Sequence, residues 1–136
     1  MKRLIIIISS IILVCSCGGS GSKSGNKQNY LEREVSTYST GASGIDEKIV
    51  FHRSTKQYEY YTRAALYDSS NWELEDSGHY TESIGDDNIV TCKLDNARIK
   101  GEEKLGTIRT VKIDLESRTA RFISIVGDSI AKELFE

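Results

Sequence analysis

The chain has 136 residues, a formal net charge of −2 and no proline, and 38% of its residues are hydrophobic. This length is typical of a single domain with a modest core. The slightly acidic charge, without a basic stripe or a recognisable nucleic-acid motif, argues against a nucleic-acid partner.

The N-terminal segment is organised like a secretory signal. Lys2 and Arg3 precede an apolar run over residues 4–14 that only Ser9 and Ser10 interrupt. The run has the length of a signal-peptide core, and it is too short to span a bilayer, which takes about 20 apolar residues.

The apolar run ends in Val14, Cys15, Ser16 and Cys17. This ending resembles the lipobox of bacterial lipoproteins, in which an aliphatic residue and then a small residue lead up to the cysteine that carries the lipid. The resemblance implies cleavage before Cys17, a diacylglycerol thioether on its sulfur and acylation of the new amino group. Cys15 as the modified residue, and an uncleaved membrane segment, remain the alternatives.

Lipidation implies a membrane partner. Because several acyl chains each contribute about 0.8 kcal/mol per buried methylene, they form a durable anchor. Gly18 stands where an aspartate would signal retention in the inner membrane. The resemblance therefore implies a cell-envelope lipoprotein on the outer membrane of a Gram-negative bacterium.

Composition divides the chain into three parts. Residues 1–16 form the signal peptide, residues 17–29 a lipidated N terminus with a flexible Gly/Ser linker, and residues 30–136 a single β domain. A coil of the linker's length spans on the order of 20 Å.

The folded part shows short apolar or alternating segments separated by turn signals. Residues 30–40 fit a helix or a strand, and strands are predicted at residues 48–53, 57–66, 72–80, 89–94, 107–115 and 120–126. This spacing predicts an all-β fold, an antiparallel meander that forms a small barrel or sandwich. The tail at residues 129–136 fits either a short C-terminal helix, which we favour, or a closing strand.

The clearest predicted hairpin has its loop at residues 116–119. That loop would pair Leu115 with Ala120 and place Asp114 opposite Arg121 on the outer face. Alternation then predicts that Phe122 belongs to the core.

A second resemblance covers residues 57–126. Trp72, the Gly78-x-Tyr80 triplet, and Asp87 before an apolar strand are similar to a pattern in small lipocalin-like bacterial lipoproteins. The resemblance implies a barrel that encloses a small apolar ligand. The glycine-x-tryptophan signature of lipocalins is not present near the first strand.

The candidate binding residues form an aromatic cluster in the sequence. They are Tyr58, Tyr60, Tyr61, Tyr67 and Trp72. Such side chains supply rigid contact area for a ligand or a partner protein, and they also stabilise sheets through ordinary cross-strand contacts. Alternation places Tyr58 and Tyr60 on one face and Tyr61 and Tyr67 on the other.

The sequence predicts no cofactor, no metal site and no catalytic residues. His52 and His79 lie in different predicted strands without the spacing of a zinc site. Cys92 alternates with apolar residues, which predicts a buried thiol. We therefore expect a non-enzymatic, membrane-anchored binding module for a small apolar ligand or an envelope protein. The alternative is an enzyme inhibitor or an envelope-assembly accessory.

Overall fold

A computed structural model describes residues 21–41, 44–64 and 71–134. Cys17 and Tyr67 lie outside the described residues. The elements are α1 Gly21–Glu32, β1 Val35–Ser39, β2 Ile45–His52, β3 Gln57–Ala64, β4 Glu73–Ile84, β5 Ile89–Leu94, β6 Thr110–Asp114, β7 Thr119–Ile123 and β8 Asp128–Leu134, with a 3₁₀ turn at Ala97–Ile99. Each strand pairs with its neighbours in sequence, and β8 pairs with β1 to close the barrel. The predicted antiparallel meander is confirmed as a barrel.

The middle of the barrel is packed with aromatic and aliphatic side chains. Tyr38, Phe51, Tyr58 and Phe122 are each at most 1% exposed. The Phe51 ring meets the Tyr80 ring edge-on with their centroids 4.8 Å apart. An eight-stranded barrel is just wide enough for side chains to fill it, and these rings occupy the space in which a ligand would lie.

One end of the barrel is covered by α1, and we call it the helix end. The Tyr30 side chain is buried there, and its hydroxyl donates a hydrogen bond of 3.1 Å to Glu82 Oε2. The Arg53 guanidinium stacks on the Tyr30 ring, 3.5 Å from the ring centroid, and donates to the Tyr30 carbonyl. The turns at residues 53–56, 85–88 and 115–118 lie at this end.

The helix differs from the flexible linker that composition predicted. Its first five residues include Gly21, Ser22 and Gly25, and glycine and serine are poor helix formers. Tertiary contact supplies what propensity lacks, because Tyr30 fixes the last turn of α1 in the barrel end. A cavity of about 20 Å³, large enough for one water molecule, remains between α1 and the barrel.

The favoured C-terminal helix is wrong. Residues Asp128–Leu134 form β8, which pairs with β7 on one side and, through residues 132–134, with β1 on the other. Ile130 and Leu134 have helical spacing, but in the strand both point outward and Ala131 is buried between them in sequence. Strand pairing prevails because it closes the sheet.

The predicted hairpin has the right faces and the wrong register. Ala120 pairs with Ile113 instead of Leu115, and Arg121 pairs with Lys112 instead of Asp114. The shift is two residues, which leaves every side chain on its predicted face because strand side chains alternate with period two.

The turn chemistry explains the shift. The Asp114 carboxylate accepts hydrogen bonds of 2.9 Å and 3.1 Å from the backbone N–H groups of Glu116 and Ser117. Arg118 closes the turn in the left-handed region, with φ 56°. The turn therefore begins one residue earlier than composition predicts.

Replacing Phe122 with alanine should lower the free energy of unfolding by about 3–5 kcal/mol, since the ring is fully buried. Arg121→Ala, on the exposed side of the same strand, is the matched control and should change it by less than about 0.5 kcal/mol. Chemical denaturation measures both. A costly Arg121→Ala beside a harmless Phe122→Ala would show that the two faces are reversed.

Candidate functional site

The barrel wall separates the aromatic residues that the sequence grouped together. Tyr58 and Tyr60 point into the barrel, whereas Tyr61 points out, as alternation predicts. Trp72, directly before β4, lies beside Tyr61 on the outside, since both rings contact Lys48. The sequence cluster is therefore two sites, one inside and one outside the wall.

The inner site begins with a buried polar cluster around Tyr58. Its hydroxyl donates a hydrogen bond of 2.7 Å to Asp76 Oδ2 and accepts one of 3.0 Å from the Asn96 backbone N–H. Asn96 Nδ2 donates 2.8 Å to the same carboxylate oxygen and 2.9 Å to the Ile108 carbonyl. These bonds fasten the long β5–β6 loop to β3 and β4, so the role of Tyr58 is structural.

Tyr60 lies nearer the other opening, which we call the loop end. Its hydroxyl donates a 2.7 Å hydrogen bond to Glu47 Oε1, and Ser129 Oγ donates 2.6 Å to the other oxygen of the same carboxylate. Burial raises the pKa of Tyr60 well above its usual value, and the Glu47 carboxylate raises it further. Tyr60 thus stays a neutral donor that links β3 to β2.

The outer site, which we call the Trp72 patch, consists of Lys48, Tyr61, Arg63 and Trp72. Lys48 Nζ lies 4.5 Å from the Trp72 ring centroid and 4.8 Å from that of Tyr61. Arg63 Cζ lies 4.4 Å from the Trp72 centroid, and its Nε donates 3.1 Å to Asp46 Oδ2. Two strands and the start of a third therefore place two cations on one indole.

The strand register explains why these residues meet. Lys48 is directly opposite Tyr61 and Asp46 is opposite Arg63. Such cation–π contacts contribute roughly 0.5–1 kcal/mol at exposed sites. They hold the half-buried rings in place, which produces a preorganised surface of aromatic and cationic groups.

Cys92 has no features of a nucleophile. The thiol is fully buried, as predicted, and burial raises its pKa to about 12, with the Glu82 carboxylate adding to the shift. A protonated thiol does not attack electrophiles or bind metals, since the thiolate is the reactive form.

The two histidines lie apart on the outer face. His52 Nε2 is 3.4 Å from Glu59 Oε2, and His79 Nδ1 is 3.9 Å from Asp95 Oδ2. Within residues 21–41, 44–64 and 71–134, no group of three or more His, Cys, Asp or Glu side chains could hold a metal ion.

Sequence reasoning missed the polar partners of the aromatic residues. The alternation of side chains along β2 indicates only that Glu47 and Lys48, as consecutive residues, lie on opposite faces of the sheet. Nothing local connected Asn96 to Tyr58, because that bond joins a loop to a strand 38 residues away. Such contacts depend on the three-dimensional arrangement of the strands and cannot be read from neighbouring residues in the sequence.

No protein-family model, curated protein or solved structure matches the chain. Of the helices in the described part, none is long and apolar enough to cross a membrane.

Tyr58→Phe should lower the free energy of unfolding by about 1–3 kcal/mol, because it leaves a buried carboxylate oxygen and a buried N–H short of a partner. Tyr61→Phe removes the same atom from the outer face and should cost less than about 0.5 kcal/mol. Urea denaturation of the two variants measures the difference. Equal losses would contradict a structural role specific to Tyr58.

Proposed function

We propose that this chain is a lipid-anchored lipoprotein of the bacterial envelope whose barrel binds a partner protein through the Trp72 patch, without catalysis. The anchor is Cys17, and the location is the outer membrane of a Gram-negative bacterium. An enzyme inhibitor and an envelope-assembly accessory are proteins that act in this way.

The observation that carries the proposal is the occupied interior. The inward-facing rings of Tyr38, Phe51 and Tyr58 are buried against the other strands. A small apolar ligand needs a pocket of about 300–1,000 Å³ that encloses most of its surface, and the groove of about 520 Å³ at the loop end is open to the outside. Since aromatic side chains fill the middle of the barrel, recognition is better served by the outer wall.

The Trp72 patch has the composition of a protein-binding surface. Trp, Tyr and Arg are the residues most enriched at the energetic centres of interfaces. In this patch Trp72, Tyr61 and Arg63 are half-buried and already fixed by mutual contacts. A preorganised surface loses little side-chain entropy on binding, which favours affinity.

Cys17→Ser should abolish incorporation of labelled palmitate and leave a precursor that keeps residues 1–16. The reason is that the serine hydroxyl cannot form the thioether that precedes cleavage. Cys15→Ser is the matched control and should be labelled and processed normally. Labelling that survives Cys17→Ser, or that is lost in Cys15→Ser, would contradict the assignment.

A photo-cross-linking amino acid at Asn71, an exposed position next to Trp72, should give one defined protein adduct in cells. Trp72→Ala in the same chain should remove the adduct, because the ring supplies the main contact. The same cross-linker at Thr81, an exposed position farther along β4, is the control and should give none. An adduct at Asn71 that persists in Trp72→Ala would refute the patch as the binding site.

A further inference from the structure

The outer face of β5–β8 has a different character from the Trp72 patch. Its outward positions include four cations and two carboxylates: Lys93, Lys112, Arg121 and Lys132, with Asp114 and Asp128. The Asp114 carboxylate is engaged by backbone N–H groups of its turn, and Asp128 lies 3.8 Å from Arg121. We call this surface the basic face, since it is positive in a chain whose net charge is negative.

Two of these cations are placed directly against each other. Lys112 on β6 and Arg121 on β7 are cross-strand partners, and both are exposed. Like charges directly opposite each other destabilise a sheet. An external anion that bridges the two side chains would remove this cost.

Exposed aliphatic side chains border the basic face. Ile130 and Leu134 on β8 are 56% and 44% exposed, and Val35 on β1 is 46% exposed. Ile130 shares a surface groove of about 250 Å³ with Lys112 and Arg121, and the carboxylates of Asp87 and Asp114 line the same groove. Apolar groups interspersed with cations are the composition of surfaces that lie at the headgroup level of a bilayer.

The helix leads the chain out at this side of the barrel. Asn26 and Asn29 of α1 lie with Asp114 and Leu115, at the turn between β6 and β7. Cys17 stands nine residues before Asn26, and five helical residues followed back by four extended ones reach at most about 22 Å. A lipid on Cys17 would therefore hold the basic face close to the membrane.

We propose that the basic face lies against the anionic phospholipid headgroups of the membrane that carries the anchor, with phosphates bridging Lys112 and Arg121. This inference rests on the lipid anchor proposed above. β3 lies across the barrel from β7, so the Trp72 patch would then face away from the bilayer and remain accessible.

The test uses the full chain, purified from membranes and reconstituted in vesicles of phosphatidylglycerol and phosphatidylcholine. A fluorophore is attached through Ile130→Cys on the basic face or, as control, through Asn71→Cys beside the Trp72 patch; the buried Cys92 does not compete for it. We expect quenching by spin-labelled lipid at position 130 and little at position 71.

Charge reversal tests the cause of the docking. Lys112→Glu together with Arg121→Glu should shift the equilibrium between docked and free barrel by at least about 25-fold, since each cation near an anionic surface contributes about fivefold. Arg98→Glu with Lys100→Glu, an equal change on the exposed loop after β5, should leave the quenching at position 130 unchanged.

The outcomes separate the two proposals. Equal quenching at positions 130 and 71 in a palmitate-labelled chain, or quenching that survives the reversal of Lys112 and Arg121, overturns the basic face alone. If palmitate is not incorporated, flotation of the same chain decides: binding to phosphatidylglycerol vesicles that depends on Lys112 and Arg121 overturns only the anchor. If the chain without palmitate does not bind these vesicles, or binds them equally well after the reversal of Lys112 and Arg121, both proposals are overturned.

Discussion

The pairing of β8 with β1 is the constraint on which the rest of the structure depends. An open sheet of eight strands would expose two edges, and this chain has no proline to protect them. Closure pairs Thr37 with Leu134 and Ser39 with Lys132, which removes both edges along this stretch. It also decides which face of every strand becomes interior, so that Tyr38, Phe51 and Tyr80 meet in one core.

Local patterns predicted what depends on alternation and missed what depends on closure. The meander, the faces of Tyr60, Tyr61 and Phe122, and the buried Cys92 followed from period-two spacing. The spacing of Ile130 and Leu134 fits both a helix and a strand, so the tail alone cannot select the strand. Pairing with the distant edge of β1 selects it. The hairpin register depended on a side-chain bond within one turn, and α1 depended on the docking of Tyr30 against Arg53, which composition does not encode.

The candidate site could likewise be predicted only in part from the sequence. Sequence identified the aromatic residues and divided Tyr58 and Tyr60 from Tyr61, but it gave them no partners. The contacts of each ring indicate its role. Hydrogen bonds to Asp76 and Asn96 make Tyr58 a structural residue, whereas cation–π contacts with Lys48 and Arg63 hold Trp72 on the outer surface. The polar groups around Tyr58 hold the β5–β6 loop against β3 and β4. The two surfaces that we propose for recognition, the Trp72 patch and the basic face, both lie on the outside of the barrel, on opposite sides of it.

The central claim is that the barrel is filled by its own side chains and binds on its outside. Native mass spectrometry of the folded full-length protein, before and after extraction with organic solvent, tests it most directly. The account predicts one protein mass, including any covalent lipid, that extraction does not change, and no fluorescence increase from an added hydrophobic probe. A non-covalent apolar molecule that leaves on extraction, or a probe that binds inside the folded barrel, would contradict it.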